Sequence, residues 1–235
     1  CSFDSIDLAA QSAVVQRRKI ISDAIRSRRA LVVGAISEAS TLSLSHDACD
    51  VIELRLDSLG TSGETLSYAK QSAIPLLVTA RGALEGGVNQ LSISDRIEAY
   101  QRLMPYAAAI DIELSSFPEL MGIIEQAKRE NVSVVGSFHD FQKTPPLDAL
   151  KARIGAVADL HKFATMVTEE SDLDVHRTLL GKFPPLSVMG MGPQGADARP
   201  EMITLGSVLN YGYLGNTPTA PDQWPVSKLR EYLRD

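Results

Sequence analysis

The amino-acid sequence predicts an α/β protein, a single (β/α)8 TIM barrel with an N-terminal helical extension. The first observation is that eight short apolar runs, each four to nine residues long, recur along the chain. Such runs, rich in Val, Ile and Leu, are typical of buried parallel strands. The runs are residues 30–36, 50–56, 74–80, 108–114, 132–138, 156–164, 185–191 and, more weakly, 202–205.

The second observation is that segments between the runs repeat apolar residues at helical spacing, as helices packed on a sheet do. Ile93, Ile97, Tyr100 and Leu103 follow the third run in this spacing, and Pro118 opens a similar segment after the fourth run. Alternating strands and helices indicate parallel βα units. Eight such units in about 200 residues suit a barrel at the small end of its size range.

The ends of the chain lie outside this repeat. Residues 1–29 are expected to form an extension with a helix over 13–28, and residues 30–235 to form the barrel, with a last helix over 226–234. The competing fold is an open doubly wound sheet. That fold favours a glycine-rich loop after the first strand, whereas residues 33–38 contain a single glycine.

Composition narrows the class of protein. The chain has 235 residues, 44% of them hydrophobic, and a formal net charge of −6, which exclude a disordered chain and disfavour a nucleic-acid-binding protein. No run reaches 18 apolar residues, so we expect no membrane span. Two cysteines suit a reducing compartment such as the cytoplasm. Because the sequence begins at Cys1, we expect a trimmed chain or a piece of a longer polypeptide.

In a barrel, functional side chains lie at the C-terminal ends of the strands. The second run carries Glu53, Arg55 and Asp57 at a spacing of two, which predicts that all three share one inward face. Buried charges need partners, so these residues form a self-satisfied network, an arginine that binds a ligand, or both. Arg81 ends the third run and Glu85 follows in the next loop, where they are placed to meet an anionic or hydroxylated substrate.

The fifth and sixth runs supply the candidates for catalysis. His139 ends the fifth run, and an imidazole suits general acid or base catalysis because it titrates near working pH. Lys162 lies inside the sixth apolar run, where burial prepares a lysine amine for Schiff-base chemistry. The alternatives are a capping or core histidine and a lysine paired with an inward carboxylate such as Glu53. His161 alternates to the opposite face and is expected outside the site.

Later loops add candidates for binding. Arg199 follows the seventh run and is suited to bind a carboxylate bidentately, the alternative being an ordinary surface arginine. Thr219 and Gln223 lie in the last loop, which we expect to cover the site. Asp111 and Glu113 share one face of the fourth run, where a structural or supporting role is expected.

Six motifs spread over about residues 30–225 together resemble the type I 3-dehydroquinate dehydratases. The most specific single match is His139-Asp-Phe-Gln-Lys-Thr-Pro145. The others are Glu53-Leu-Arg-Leu-Asp57, Thr79-Ala-Arg81 with Glu85-Gly-Gly, Lys162-Phe-Ala, Met189-Gly-Met-Gly and Thr219-Ala-Pro-Asp-Gln223. The family has a (β/α)8 barrel fold, which agrees with the fold predicted from the periodicity.

The resemblance implies a lyase of the shikimate pathway that dehydrates 3-dehydroquinate to 3-dehydroshikimate. In that family Lys162 would form an imine with the substrate ketone, His139 would transfer protons, and Glu85 would orient the histidine. Arg199 matches the arginine that binds the substrate carboxylate. The remaining positions that match substrate contacts or the closing loop are Glu53, Arg55, Arg81, Thr219 and Gln223.

The resemblance also implies partners. It implies a small-molecule substrate, no cofactor and no metal, with neither nucleic acid nor membrane as a partner. Members of the family tend to form homodimers, and some are one domain of a fused shikimate-pathway polypeptide.

Four positions depart from the family pattern. Gly190 and Ala198 stand in place of serines near Arg199, Thr219 replaces a loop serine, and Asp222 replaces a glycine. Two other classes stay open, a class I aldolase-like Schiff-base lyase and a catalytically impaired regulatory relative that binds the metabolite. Borohydride trapping with substrate separates both enzymes from the regulatory relative, and activity on dehydroquinate separates the two enzymes.

Overall fold

A computed structural model describes residues 3–183, 185–220 and 222–233, with side chains from residue 11 onward. Eight parallel strands form a nearly closed barrel, in the order β7-β6-β5-β4-β3-β2-β1-β8. The predicted (β/α)8 fold is confirmed, and the doubly wound alternative is wrong. The strands are β1 (Leu31–Ile36), β2 (Val51–Arg55), β3 (Leu76–Thr79), β4 (Ala109–Glu113), β5 (Ser133–Asp140), β6 (Leu160–Met166), β7 (Leu186–Met191) and β8 (Leu209–Tyr213).

Helices follow most strands and cover the outside of the barrel. Ser92 begins α4 with a capping box completed by Asp95, and Pro118 lies in the first turn of α5, where its missing N–H costs nothing. No helix in the described ranges is both long and apolar enough to cross a membrane. The helices are α1 (Phe3–Ser27), α2 (Leu56–Leu59), α3 (Gly63–Gln71), α4 (Ile93–Leu103), α5 (Phe117–Arg129), α6 (Leu147–Lys151), α7 (Glu170–Lys182), α8 (Gly192–Asp197), α9 (Arg199–Thr204) and α10 (Val226–Tyr232).

Strand side chains alternate between two apolar layers, so the whole sheet is buried. On β2, for example, Val51 joins the cluster inside the barrel, whereas Ile52 packs outward against the helices. Because both faces are covered, the strands read as continuous apolar runs in the sequence. Polar side chains are therefore conspicuous where they do enter the barrel.

The barrel closes between β7 and β8 without a regular ladder in the part of the chain that the structure describes. The backbone N–H of Val208 donates to the Leu186 carbonyl at 3.0 Å, and the Leu209 N–H donates to the Ser187 hydroxyl at 2.8 Å. The Val188 N–H donates to a second serine hydroxyl at 3.1 Å. We call this line of contacts the β7–β8 seam.

Helix α1 covers the N-terminal mouth of the barrel. Its residues Ile21, Ala24 and Ile25 belong to the same apolar cluster as the inward side chains of the strands. Arg18 fixes the helix by donating to the carbonyl oxygens of Ala107 at 3.0 Å and Glu130 at 2.6 Å. The helix begins ten residues before the predicted range of 13–28 and ends at Ser27, and it lies at the end of the barrel opposite to the C-terminal mouth.

Two local predictions are wrong. Residues 202–205 do not form the eighth strand, because they lie in and just after α9, and β8 begins at Leu209. Asp57 lies on the short helix α2 rather than on the inward face of β2, although it still pairs with Arg55. The last helix ends at Tyr232 in the described residues.

Candidate active site

A pocket opens at the C-terminal mouth of the barrel, and all nine predicted site residues line it. These residues come from six of the eight βα units, so the fold gathers them from distant parts of the sequence. The lining residues are Glu53, Arg55, Arg81, Glu85, Gly86, His139, Phe141, Lys162, Ala164, Met189, Met191, Arg199, Tyr211, Thr219, Ala220 and Gln223.

Lys162 lies on the inner face of β6 and is 5% exposed. Its Nζ is 2.9 Å from the Asp111 carboxylate on β4. Of the inward carboxylates, it is thus Asp111 that pairs with the lysine, whereas Glu53 accepts a hydrogen bond from Thr79 at 2.8 Å. An ion pair of this kind holds the amine in one place, at the edge of the pocket.

His139 shares the inner face with Lys162 because Ser137 is opposite Lys162 and His139 is opposite Ala164 in the β5–β6 register. Strand geometry therefore places the histidine about 6.6 Å farther toward the open mouth. Burial, together with the charges of Arg81 and Lys162, holds the pKa of His139 well below its ordinary value. The imidazole is consequently neutral near pH 7 and able to accept a proton.

Glu85 contacts this histidine from the loop after β3. Its Oε2 accepts from the His139 backbone N–H at 2.9 Å and lies 3.0 Å from His139 Nδ1. With the carboxylate as acceptor, Nδ1 carries the ring proton, and the Nε2 lone pair is left for another partner. Ser115 donates to Oε1 at 3.0 Å, and burial raises the pKa of Glu85.

Arg81 joins the carboxylates beneath the pocket. Its guanidinium lies 2.9 Å from Asp111 and 3.0 Å from Glu113, and it donates to the Ser137 hydroxyl at 2.6 Å. Burial opposes ionisation of Asp111, but the charges of Arg81 and Lys162 hold its pKa well below the usual range. Most of the N–H groups of Arg81 thus bind other side chains of the protein. Asp111 and Glu113 have the supporting position that the sequence predicts.

Arg55 connects β2 to the loop that carries Glu85. It makes two parallel hydrogen bonds to Asp57, at 2.9 and 2.8 Å, and a third to the Gly86 carbonyl at 3.0 Å. Asp57 also accepts the backbone N–H of Val88 at 3.1 Å. Both alternatives that the sequence left open therefore apply to Arg55. It lines the pocket, where it can contact a ligand, and it is also bound by Asp57 in an internal network.

Arg199 begins α9 and is buried, so the surface alternative is wrong. Its one hydrogen bond among the described residues goes from Nη1 to the Tyr211 carbonyl at 2.7 Å, and its Nε is buried without a partner there. Burial lowers the pKa of Arg199 to about 10, so it stays charged at neutral pH. A buried cation without a carboxylate partner is suited to bind an anion.

The last loop covers the pocket from the side of β8. The Gln223 Oε1 accepts from both the backbone N–H and the hydroxyl of Thr219, each at 2.8 Å. This pair closes the loop on itself and leaves the amide N–H groups of Gln223 for other partners. Residue 221 of the same motif lies outside the described residues. Nowhere in the described ranges does a group of three or more His, Cys, Asp or Glu side chains form a possible metal site.

The chain matches the family model described as type I 3-dehydroquinase over residues 34–235. That match spans most of the sequence and every residue of the pocket. The chain belongs to the type I 3-dehydroquinase family. It is consequently a dehydratase by family, and the sequence resemblance is confirmed.

Curated relatives of this dehydratase cover about three quarters or more of its length. The 3-dehydroquinate dehydratase of Methanosarcina mazei is 32% identical over 230 residues, which cover 88% of this chain and 94% of the relative. The enzyme of the same name from Thermodesulfovibrio yellowstonii is 33% identical over 185 residues, or 74% of this chain and 80% of the relative.

Solved structures of dehydratases share the fold. The type I enzyme of Clostridium difficile superposes with a TM-score of 0.73 at 24% identity and covers 88% of this chain and 91% of its own. The dehydratase of Geobacillus kaustophilus gives a TM-score of 0.74 at 22% identity, covering 88% and 90%.

Two departures from the dehydratase pattern have a physical explanation. A Cβ at Gly190 would lie 2.5 Å from the Gly195 Cα, so the close packing of β7 on α8 excludes a serine there. Asp222 has a φ of 53°, in the left-handed region that glycine adopts freely and Asp tolerates better than most residues. Ala198 packs in an apolar cluster beside α7, and nothing in the structure explains the choice of Thr219 over serine.

Sequence reasoning missed Tyr211 and the contact between Asp111 and Lys162. Tyr211 lies on the inner face of β8, and its ring centroid is 4.1 Å from Lys162 Nζ. The alternation Leu209-Asn-Tyr211-Gly-Tyr213 carries the signal, but the more apolar residues 202–205 are the ones that predict the eighth strand. His161 is outside the pocket, as predicted, and accepts from the Gly155 N–H at 3.0 Å.

Proposed function

We propose that this chain dehydrates 3-dehydroquinate to 3-dehydroshikimate through an imine on Lys162. One observation carries the proposal. A buried amine, a neutral imidazole and the buried guanidinium of Arg199 line the same pocket at the open mouth of the barrel. Together they supply a nucleophile, a base and an anchor for a carboxylate, which are the three groups that this reaction requires.

The reaction begins when the Lys162 ammonium releases one proton to solvent, and the neutral Nζ then attacks the substrate ketone. The ketone oxygen leaves as water, and a protonated imine remains. Because this imine attracts electrons more strongly than the ketone, the adjacent C–H becomes acidic. The ammonium loses two protons in all, one through solvent before the attack and one from the bonded nitrogen, and the departing water takes up two, so this step requires no further reactant.

His139 then transfers the proton. Its Nε2 takes the proton next to the imine, and the electron pair that remains expels the hydroxyl, which leaves as water with the proton from His139. Hydrolysis of the imine uses one water, releases the product and restores the lysine. The low pKa of His139 supports its action as the base, and Glu85 stabilises the imidazolium that forms.

The other pocket residues hold the substrate. Arg199 binds the carboxylate, since it has no acidic partner among the described residues. Arg55, Glu53 and the amide of Gln223 contact the substrate hydroxyls, and the loop of Thr219 and Gln223 closes the pocket. Arg81 acts mainly through Asp111 and Glu113, because both of these carboxylates already bind it.

The decisive experiment follows the absorbance of the conjugated enone after dehydroquinate is added to wild type, Lys162→Ala and His139→Ala. We expect turnover in wild type and a loss of several orders of magnitude in both variants. Borohydride with substrate should label wild type and His139→Ala by mass spectrometry but leave Lys162→Ala unlabelled. Binding without turnover in wild type would overturn the proposal in favour of a metabolite-binding regulator, and labelling without dehydration would favour an aldolase-like lyase.

We further propose that residues 30–235 are the catalytic domain and that residues 1–29 are an extension that covers its closed end. The packing of Ile21, Ala24 and Ile25 into the barrel supports this division. The family resemblance supports a homodimer, a cytoplasmic location and a place in a fused polypeptide. Sedimentation of the purified chain tests the dimer.

A further inference from the structure

Tyr211 is buried in the pocket, and the reaction proposed above does not use it. It is 5% exposed, and its hydroxyl has no hydrogen-bond partner among the described residues. Nζ of Lys162 lies over its ring, 4.1 Å from the centroid, in addition to the contact with Asp111 at 2.9 Å. The lysine is thus held between a carboxylate and an aromatic face, which attracts a cation.

The hydroxyl, in contrast to the ring, is unfavourable in the free protein. A buried O–H without a partner loses its hydrogen bonds to water and gains none, whereas phenylalanine would supply the same ring without that loss. The charges of Asp111, Glu53 and Arg81 act on this hydroxyl. Burial and the two carboxylates raise the pKa of Tyr211 well above its ordinary value, so the group remains a donor at working pH.

We propose that Tyr211 assists imine formation: its ring holds the Lys162 amine, and its hydroxyl donates a hydrogen bond to the oxygen on the attacked carbon. This role rests on the proposed function. That oxygen lies two bonds from Nζ once the C–N bond has formed, beside the ring that contacts the lysine. The hydroxyl donates without losing its proton, so the oxygen still leaves as water with the two protons of the ammonium.

The proposal predicts opposite effects on stability and on reaction. Tyr211→Phe should unfold at the same or a higher temperature than wild type without ligand, because the unpaired hydroxyl is gone. The same variant should form the imine about tenfold more slowly, as the loss of one hydrogen bond predicts, with little change in KM. A hydroxyl with a purely structural partner would instead lower the unfolding temperature and leave the rate unchanged.

The experiment measures the rate of borohydride-trapped adduct on Lys162, the KM and the thermal midpoint for wild type, Tyr211→Phe and Tyr213→Phe. Tyr213 is the matched control, since it lies on the same strand and is not part of the pocket lining. Tyr211→Leu adds the loss of the ring and should slow trapping further. Trapping by Tyr211→Phe at the wild-type rate would overturn this role alone, whereas no adduct in wild type would overturn the proposed function and this role with it.

Discussion

Replacing Arg199 by methionine should make the free protein more stable while removing its ability to bind a carboxylate. Burial lowers the pKa of Arg199 from 12.5 to about 10, which corresponds to about 3 kcal/mol against the charged form in the fold. Methionine fills a similar apolar volume without this penalty. The substitution also removes the hydrogen bond to the Tyr211 carbonyl, which contributes about 1 to 2 kcal/mol. The expected net gain is therefore about 1 to 2 kcal/mol.

Urea unfolding at pH 7 measures this change in the free energy of unfolding. Arg102→Met is the control, because Arg102 is exposed on α4 and its loss should change stability by no more than about 0.5 kcal/mol. In a second arm, 3-dehydroshikimate, which retains the carboxylate, should raise the melting temperature of wild type and not of Arg199→Met. A loss of 1 kcal/mol or more in Arg199→Met would refute the reasoning, since it would mean that the guanidinium is already compensated without a ligand.

Three further predictions concern stability and catalysis. Burial lowers the pKa of His176 from the ordinary value of 6.5 to about 4, so on acidification the unfolded chain binds a proton before the folded chain does. The free energy of unfolding should therefore fall by about 3 kcal/mol between pH 6.5 and 4. In urea-unfolding measurements over this pH range, His176→Gln should show a smaller fall. Gly190→Ala should cost about 1 to 3 kcal/mol by overpacking, whereas Gly181→Ala, with open space around it in α7, should gain about 0.5 to 1 kcal/mol in the same assay. Glu85→Gln should lower kcat about 10² to 10⁴-fold without abolishing borohydride labelling, and an unchanged kcat would show that the His139 tautomer does not depend on the carboxylate.

The sequence predicts the barrel well because its strands are buried on both faces and appear as apolar runs. The exception is β8, where Asn210 and Gly212 interrupt the run. Gly212 is required by close packing, since a Cβ there would lie 2.8 Å from the Val226 backbone nitrogen, and the Asn210 amide donates to the Ser207 carbonyl at 2.9 Å. Because packing and hydrogen bonding require these two residues, β8 lacks a continuous apolar run. Met202 and its neighbours form a short apolar run in a helix, and periodicity cannot distinguish such a run from a strand.

The residues of the site could likewise be predicted from the sequence, but the contacts between their side chains could not. Alternation along each strand shows that Lys162 and His139 point into the barrel. Which carboxylate meets the lysine depends on the register of strands that are distant in the sequence, and for that reason Asp111 rather than Glu53 is its partner. Arg81 appears as a substrate contact in the sequence because its two buried acidic partners become visible only in three dimensions.

The β7–β8 seam gives the barrel a line along which it can open locally. Two serine hydroxyls and one backbone hydrogen bond replace a ladder there, and Arg199 reaches across from α9 to the Tyr211 carbonyl on β8. Amide protons along the seam should therefore exchange with solvent faster than those of the central strands. A ligand that binds both Arg199 and Lys162 would connect the two sides of the seam. Ligand binding should therefore slow amide exchange along the seam, and local opening of the seam should compete with ligand binding.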